Sequence, residues 1–437
     1  MEEAVKIYQG ELFTFTASPF EREDCYLYEK EGALVVSGGR VVEIGLAASI
    51  LPKYPTAELV TYDKGHLIMP GLIDAHVHYP QLSVMGMYGE QLLEWLNRYT
   101  FPAEVNFNER REKVDYADFF LQELFSRGTT ACMAWSTNQL NSVTALFQAA
   151  KAYDMCLITG KNLMDRNAPA SLLDEEDKGE RASRWLIEEW NGVGRLHYAV
   201  TPRFAPSSTR EQLEMAGRLL KEYPGVYMQT HLSENRDELR WVQELFPACK
   251  DYLEVYEQAG LLTDRSFFGH GIHLSADERR RISRAGATVV HCPSSNLFLG
   301  SGLFDWEGFD RVALGSDVGA GTSLSMLSTM GEAYKVSQLL GRPKDPLELL
   351  WSCTMGVAEA LGLSDEIGSF KAGCYADFVV VDYMPDELAA GRIHALSAGG
   401  QQMLENILFG MQILSADCRI SETYVKGEQV YASGWDF

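Results

Sequence analysis

The chain has 437 residues, of which 46% are hydrophobic and 23% charged, so we expect a soluble globular protein larger than one core of about 100 to 200 residues. Its 38 basic and 61 acidic residues give a net charge of -23, which disfavours binding to nucleic-acid phosphates or anionic membranes. Eight scattered cysteines without a C-x-x-C pair predict reduced thiols. We expect a cytoplasmic protein, because the amino terminus lacks a signal-peptide pattern and no apolar run approaches about 18 residues.

The two ends of the chain are both rich in strand patterns. Residues 1–66 predict short strands joined by tight turns, including a glycine-turn hairpin over residues 33–42. Residues 368–437 contain the apolar run 376–382 and a second hairpin over residues 423–431. Since neither segment is large enough to close its own core, we predict that they pack together as a small β-sandwich.

The middle of the chain, residues 67–367, alternates strands with amphipathic helices, a pattern typical of parallel β/α units. We predict a TIM-type (β/α)₈ barrel of the α/β class as the catalytic domain, closed by helical residues 346–363. The eight candidate strands cover residues 67–78, 129–134, 155–161, 195–203, 226–231, 266–270, 288–291 and 312–317.

Polar residues that suit a metal ion stand at the ends of several of these strands. His76 and His78 are two apart, so their side chains point to the same side of a strand. The fifth strand ends at His231, the sixth at His270 and the eighth at Asp317. Each alone fits a structural interpretation, as a core histidine or a helix cap. Together they predict a metal site, because functional residues of such barrels lie at the carboxyl ends of the strands.

Several motifs of the chain resemble the amidohydrolase superfamily, and so does the terminal run 376–382. These motifs are Pro70-Gly71-Leu72-Ile73-Asp74-Ala75-His76-Val77-His78, Thr230-His231-Leu232-Ser233-Glu234, Gly269-His270-Gly271, His291-Cys292-Pro293-Ser294-Ser295-Asn296 and Gly315-Ser316-Asp317. Residues 92–104 and Pro202-Arg203-Phe204 resemble more specifically the guanine deaminases within that superfamily.

By position, the resemblance implies that His76, His78, His231 and Asp317 bind a metal ion and that His270 lies beside it. Two-metal members of the superfamily commonly carry a carboxylated lysine at the end of the fourth strand. Here that strand ends in residues 200–203, which include no lysine, so we expect one metal ion per subunit. Imidazole and carboxylate ligands suit Zn²⁺, and Fe²⁺ accepts the same set.

The resemblance implies hydrolytic removal of the C2 amino group of guanine by a metal-activated water, giving xanthine and ammonia. Asp317 is then expected to accept the proton of the water. Glu234, three residues after His231, is expected to protonate the purine ring and the departing amine. Without the resemblance, Glu234 would be interpreted as a carboxylate at the start of a helix. His270 is expected to hydrogen-bond the attacking oxygen.

Six side chains are expected to contact the purine. Arg203 has a forked pair of donors that matches the O6 and N7 acceptors of guanine, and Gln81 has an amide donor and acceptor. Phe204 is expected to face the ring, Trp95 to pack at the pocket mouth, and Glu234 and His270 to reach the reacting edge. The expected purine contacts are therefore Gln81, Trp95, Arg203, Phe204, Glu234 and His270. Without the resemblance, Gln81 and Arg203 read as loop and surface residues and Trp95 as a helix-face core residue.

Other functions stay open at this point. A hydrolase of the same scaffold acting on 8-oxoguanine, an adenosine-type purine or a triazine would share the metal ligands. A non-catalytic assembly protein of this fold, similar to the dihydropyrimidinase-related scaffolds, is disfavoured by the intact ligand set. The resemblance further implies a homodimer.

Overall fold

The computed structural model describes residues 4–175, 177–398, 403–416 and 418–434, so the extreme ends of the predicted terminal domain lie outside the described residues. Its β-strands, in chain order, are β1 (Val5–Phe15), β2 (Tyr26–Ser37), β3 (Arg40–Leu46), β4 (Glu58–Thr61), β5 (His66–Pro70), β6 (Leu72–His78), β7 (Thr129–Trp135), β8 (Cys156–Gly160), β9 (Asn162–Leu163), β10 (Leu196–Pro202), β11 (Tyr227–Leu232), β12 (Ser266–His270), β13 (Thr288–His291), β14 (Val312–Leu314), β15 (Phe378–Asp382), β16 (Arg419–Val425) and β17 (Glu428–Ala432).

The α-helices are α1 (Ala47–Ile50), α2 (Leu92–Trp95), α3 (Phe101–Glu109), α4 (Lys113–Phe125), α5 (Leu140–Ala152), α6 (Lys178–Trp190), α7 (Arg210–Glu222), α8 (Arg236–Leu245), α9 (Tyr252–Gln258), α10 (Ala276–Ala285), α11 (Pro293–Phe298), α12 (Met326–Leu339), α13 (Pro346–Trp351), α14 (Met355–Leu361), α15 (Glu387–Ala398) and α16 (Met403–Ile413). A π-helical turn, Leu96–Thr100, joins α2 to α3. None of the described helices has the length and apolar character that crossing a membrane requires.

The predicted barrel is confirmed. Its parallel strands follow the order β6-β7-β8-β10-β11-β12-β13-β14, with β9 beside β10. The segment after β14 closes the ring on β6, because the amide of Asp317 donates to the carbonyl of His76 at 2.8 Å and the amide of His78 donates to the carbonyl of Val318 at 2.7 Å. Every residue of β6 and β7 is buried, as expected for parallel strands covered on both faces.

The predicted association of strands from the two ends of the chain is also confirmed, and, separate from the barrel, these strands form one continuous sheet. Its order is β17-β16-β15-β5-β1-β2-β3, with β4 beside β1, so β5 and β15 join the two ends of the chain. Aromatic side chains hold the centre of this sheet: Phe378 stacks on Tyr424 at a ring distance of 4.2 Å and meets Tyr8 edge-on at 4.8 Å.

The single strand predicted over residues 67–78 is wrong, because the chain changes sheets at Gly71. β5 pairs with β15 in the terminal sheet, whereas β6 starts the barrel. Gly71 packs so closely on Thr130 that a Cβ there would lie 2.0 Å from the Thr130 Oγ1. We therefore propose Gly71 as the boundary between the two domains, in place of residue 67.

Two helices near the carboxyl terminus, α15 and α16, were not predicted from the sequence. Leu404, Ile407, Leu408 and Met411 of α16 are buried in the same cluster as residues of α12. Their spacing follows one helix face, which the strand-based prediction for this segment overlooked. The carboxyl-terminal segment therefore packs on the barrel as well as in the terminal sheet.

Candidate active site

The four predicted metal ligands converge at the carboxyl end of the barrel. His78 Nε2 lies 3.2 Å from His76 Nε2 and 3.3 Å from His231 Nε2. Asp317 Oδ1 lies 3.2 Å from His78 Nε2 and 3.3 Å from His76 Nε2. His270 is close too, since its ligand atom lies within 4.8 Å of those of His76, His231 and Asp317. Three imidazoles and one carboxylate around one point form a donor set that suits a divalent transition metal.

Hydrogen bonds on the outer side of two rings orient them toward this point. His231 Nδ1 lies 2.7 Å from the carbonyl oxygen of Arg203, so Nδ1 carries the proton and Nε2 faces the site with its lone pair. His270 Nδ1 lies 2.9 Å from Asn296 Oδ1, which orients that ring in the same way. Among the described residues, the buried His270 Nε2 has no hydrogen-bond partner, which fits a nitrogen that faces a ligand.

The electrostatics of the cluster favour the protonation states that bind metal. Burial lowers the pKa of His78 to about 3. Burial, reinforced by His76 and His78, holds the pKa of His231 well below its usual value. For Asp317, burial alone would raise the pKa, but hydrogen bonds with His76 and His78 hold the pKa well below its usual value. Neutral imidazoles and an ionised carboxylate are the ligand forms that a metal requires.

Strained backbone surrounds the cluster. Ser233, His270 and Asp317 have φ angles of 52°, 72° and 51°, in the left-handed region that non-glycine residues rarely adopt. Such conformations cost about 1–3 kcal/mol each and are typical of functional sites. The strain falls on the residues that follow or end β11, β12 and β14.

Two glycines make room for the His76 ring. A Cβ at Gly269 would lie 2.7 Å from His76 Cε1, and a Cβ at Gly315 would lie 2.5 Å from His76 Cβ. Both distances are shorter than real carbon contacts, so a larger residue at either position must displace the histidine. Close packing against His76 therefore requires glycine at positions 269 and 315.

Glu234 is held next to the cluster by the loop after β11. Its Oε1 accepts a hydrogen bond from Ser301 Oγ at 3.2 Å, and its Oε2 lies 3.3 Å from His270 Nε2. The amide of Glu234 donates to Glu238 Oε2 at 2.9 Å, which ties the loop to the start of α8. Burial, with the charge of Asp317 adding to it, raises the pKa of Glu234 well above its usual value. Burial therefore favours the protonated form of this carboxyl.

A pocket lies beside the ligand cluster, and its empty space, including the part open to solvent, is about 430 Å³. All six predicted purine contacts line it: Gln81, Trp95, Arg203, Phe204, Glu234 and His270. The lining that sequence analysis missed is mostly apolar and consists of Leu92, Leu96, Thr100, Ser295, Leu299 and Ala320. Thr100 ends the π-helical turn between α2 and α3, a feature common at functional sites.

Glu104 lies behind the pocket wall and was not predicted as a site residue from the sequence. Its Oε1 accepts from Gln81 Nε2 at 2.8 Å, and its two oxygens accept from Arg203 Nη1 at 2.7 and 2.8 Å. Glu104 is fully buried. The sequence feature that could have indicated this role is a glutamate within the apolar stretch after Phe101, because a carboxylate buried there needs a hydrogen-bond or ion-pair partner.

Asp74 is a second missed residue, two positions before His76 on β6. Its Oδ1 accepts hydrogen bonds from the amides of His76 and Ser316, both at 3.0 Å. It thus connects the strand that carries two of the histidines to the residue before Asp317. The alternation of a strand, which places residues 74 and 76 on one side, was the signal for it.

The amidohydrolase family profile matches residues 67–430. The chain belongs to the amidohydrolase family. This family is metal-dependent, in agreement with the histidine and aspartate cluster of the barrel. The resemblance found in the sequence motifs is therefore confirmed.

Curated relatives and solved structures match nearly the whole chain. Guanine deaminase of Escherichia coli is 41% identical over 437 residues, covering 98% of each chain, and its structure superposes with a TM-score of 0.93. A probable guanine deaminase of Deinococcus radiodurans is 37% identical and covers 86% of this chain and 88% of its own. The structure of guanine deaminase from C. acetobutylicum with guanine in its active site is 28% identical, with a TM-score of 0.84, and covers 98% of this chain and all of its own.

Proposed function

We propose that this chain is a guanine deaminase, which hydrolyses guanine to xanthine and ammonia. The observation that carries the proposal is the 41% identity to the Escherichia coli enzyme over 98% of both chains. The same name recurs among relatives from bacteria to Homo sapiens, the latter 32% identical over 380 residues. The pocket supports the proposal independently, because a compact apolar slot with an arginine and an amide at one end suits a flat, polar-edged purine.

His76, His78, His231 and Asp317 would hold one Zn²⁺ per subunit, and Fe²⁺ would accept the same ligands. When bound, such an ion lowers the pKa of a coordinated water from about 16 toward about 7 and so makes water a nucleophile at neutral pH. A single ion is supported by the fourth barrel strand, which ends at Pro202 and is followed by Arg203. The nearby Lys161 is buried in an ion pair with Asp174 and is not free to bridge two ions.

Glu234 and Asp317 divide the proton transfers between them. Asp317, which is ionised, accepts one proton of the attacking water, and His270 Nε2 accepts a hydrogen bond from the same water as its oxygen adds to C2. Glu234 holds a proton and gives it to the adjacent ring nitrogen, so that the negative charge of addition is neutralised. Glu234, reprotonated with the proton that Asp317 accepted, then protonates the C2 amine. The bond between C2 and the amine nitrogen breaks and ammonia leaves, while the proton of the C2 hydroxyl returns to Glu234 as the carbonyl forms.

Arg203 and Gln81 recognise the purine edge in this proposal. The guanidinium of Arg203 donates to ring acceptors such as O6 and N7, whereas the amide of Gln81 complements the neighbouring polar atoms. Phe204 and Trp95 line the slot and contact the ring plane. The cytoplasmic location and the homodimer stay predictions, and light scattering after gel filtration tests the latter.

A substrate panel tests the proposed function. The purified metal-loaded protein is incubated with guanine, 8-oxoguanine, adenosine and a chlorotriazine, and product formation is followed by ultraviolet absorbance. We expect guanine to have the highest kcat/KM and to release one ammonia per xanthine. A preference for a substrate that lacks an O6 acceptor would contradict the proposal. Metal analysis of the same sample tests the single-ion assignment.

A further inference from the structure

Glu104 connects the two polar groups that face the purine edge, although it lies outside the pocket lining. It projects from α3 between Gln81, which follows β6, and Arg203, which follows β10. It receives hydrogen bonds from Gln81 Nε2 at 2.8 Å and from Arg203 Nη1 at 2.7 and 2.8 Å. With Glu104 fully buried and Arg203 only 3% exposed, water does not screen this contact.

A carboxylate only accepts hydrogen bonds, so Glu104 determines which way Gln81 faces. The NH₂ group of Gln81 must point to Glu104, and its carbonyl oxygen is left as an acceptor toward the pocket. A glutamine without this partner presents either end with similar ease. Glu104 therefore removes an ambiguity that the amide itself leaves open.

The same carboxylate determines what Arg203 offers. Both hydrogen bonds of the guanidinium are donated by Nη1, so Nη2 and Nε do not donate to any acceptor within the described residues. The Cζ atom of Arg203 lies 5.5 Å from the centre of the Phe101 ring, which borders the group from α3. Glu104 thus neutralises the charge of Arg203 and leaves its remaining donors for the substrate.

We propose that Glu104 is the positioning residue that sets the hydrogen-bond polarity of purine recognition. This inference rests on the proposed function. Through Glu104 the pocket wall presents an acceptor from Gln81 next to donors from Arg203, with no net charge. That pattern complements a neutral ring edge on which an N–H stands beside a carbonyl, as N1–H and O6 do in guanine. It disfavours 2-aminopurine, whose N1 has no hydrogen and whose C6 has no oxygen.

The test compares guanine with 2-aminopurine in the metal-loaded wild type, Glu104→Gln and Glu104→Asp. In Glu104→Gln we expect KM for guanine to rise about 10-fold to 100-fold, because an unpaired polar contact weakens binding, with a smaller change in kcat. The kcat/KM for 2-aminopurine should change by less than about 3-fold, so the selectivity collapses. Glu104→Asp keeps the charge and should recover part of the selectivity. Glu109→Gln, at the exposed end of the same helix, is the matched control and should behave as wild type.

A merely structural role would give a different result. The double variant Glu104→Gln with Arg203→Met removes the unpaired buried charge and should recover thermal stability but not guanine selectivity. Unchanged selectivity in Glu104→Gln overturns the inference, and so does a selectivity that returns together with Tm in the double variant. Absence of guanine turnover by the wild type would instead overturn the proposed function, which keeps the two failures separate.

Discussion

Replacing Glu234 with Gln separates proton transfer from metal binding. The amide has the shape of the carboxyl and its oxygen still accepts the hydrogen bond that Ser301 gives at 3.2 Å. It has no acidic proton to give to the purine, whereas burial raises the pKa of Glu234 and so favours the protonated form of the native carboxyl. The proposed ligand atoms of His76, His78, His231 and Asp317 are not changed.

Loss of a positioned general acid lowers the rate by about 10²–10⁴-fold, which corresponds to about 3 to 5 kcal/mol of activation free energy. We expect kcat for guanine to fall by that factor, while KM changes little. Metal content measured by mass spectrometry should stay at the wild-type value. Thermal stability should be equal or higher, because the variant no longer buries a carboxyl whose pKa is raised.

The control is Ser301→Ala, which removes the hydrogen bond to Glu234 Oε1 but keeps the transferable proton. Its kcat should fall by about 10-fold or less, since orientation alone is disturbed. A Glu234→Gln variant that keeps more than a tenth of the wild-type kcat at full metal content would refute the assignment. Loss of the metal in Glu234→Gln would mean that this residue belongs to the ligand set.

Three further changes test other parts of the structure. Asp377→Ala removes the carboxylate that accepts a hydrogen bond from the buried Arg195 guanidinium at 3.0 Å. The free energy of unfolding, measured by chemical denaturation, should fall by about 3–5 kcal/mol, because the buried charge is left unpaired. Replacing both Asp377 and Arg195 with Met should recover most of this loss. Burial and neighbouring arginines lower the pKa of His197 from 6.5 to about 4, so stability is complete above pH 6.5 and is lost as the pH falls toward 4. Between pH 7 and pH 5 the free energy of unfolding should therefore fall by about 2 kcal/mol less in His197→Gln than in the wild type. Equal decreases in the two proteins would contradict this pKa shift. Gly269→Ala should displace His76 and lower metal occupancy at unchanged secondary structure, whereas full occupancy would show that the ring can move aside.

The ligand cluster could be predicted because its chemistry is local in the sequence. His76 and His78 have strand spacing, and His231, His270 and Asp317 each stand at the end of an apolar run. A barrel brings the ends of its strands together at one face, so the position of each residue in its own strand was sufficient. Their convergence within hydrogen-bond distances follows from that geometry.

Glu104 could not be assigned a role in the same way. It sits on a helix and not at a strand end, and its partners Gln81 and Arg203 lie 23 and 99 residues away. Only the folded chain shows that one carboxylate meets both. The break at Gly71 was missed for a related reason, since an apolar run continues through it and only the close approach of Thr130 shows why a glycine stands there.

The pairing of β5 with β15 has a consequence for biosynthesis. Strand β6, which carries His76 and His78, begins directly after β5. One edge of β5 pairs with β15, whose residues are synthesised near the end of translation. A ribosome-bound chain therefore contains all of the proposed metal ligands before the strand β15, which pairs with β5, has been synthesised. We therefore expect metal binding by the mature geometry to follow the pairing of β15, so carboxyl-terminal truncations that remove β15 should yield chains that load metal poorly.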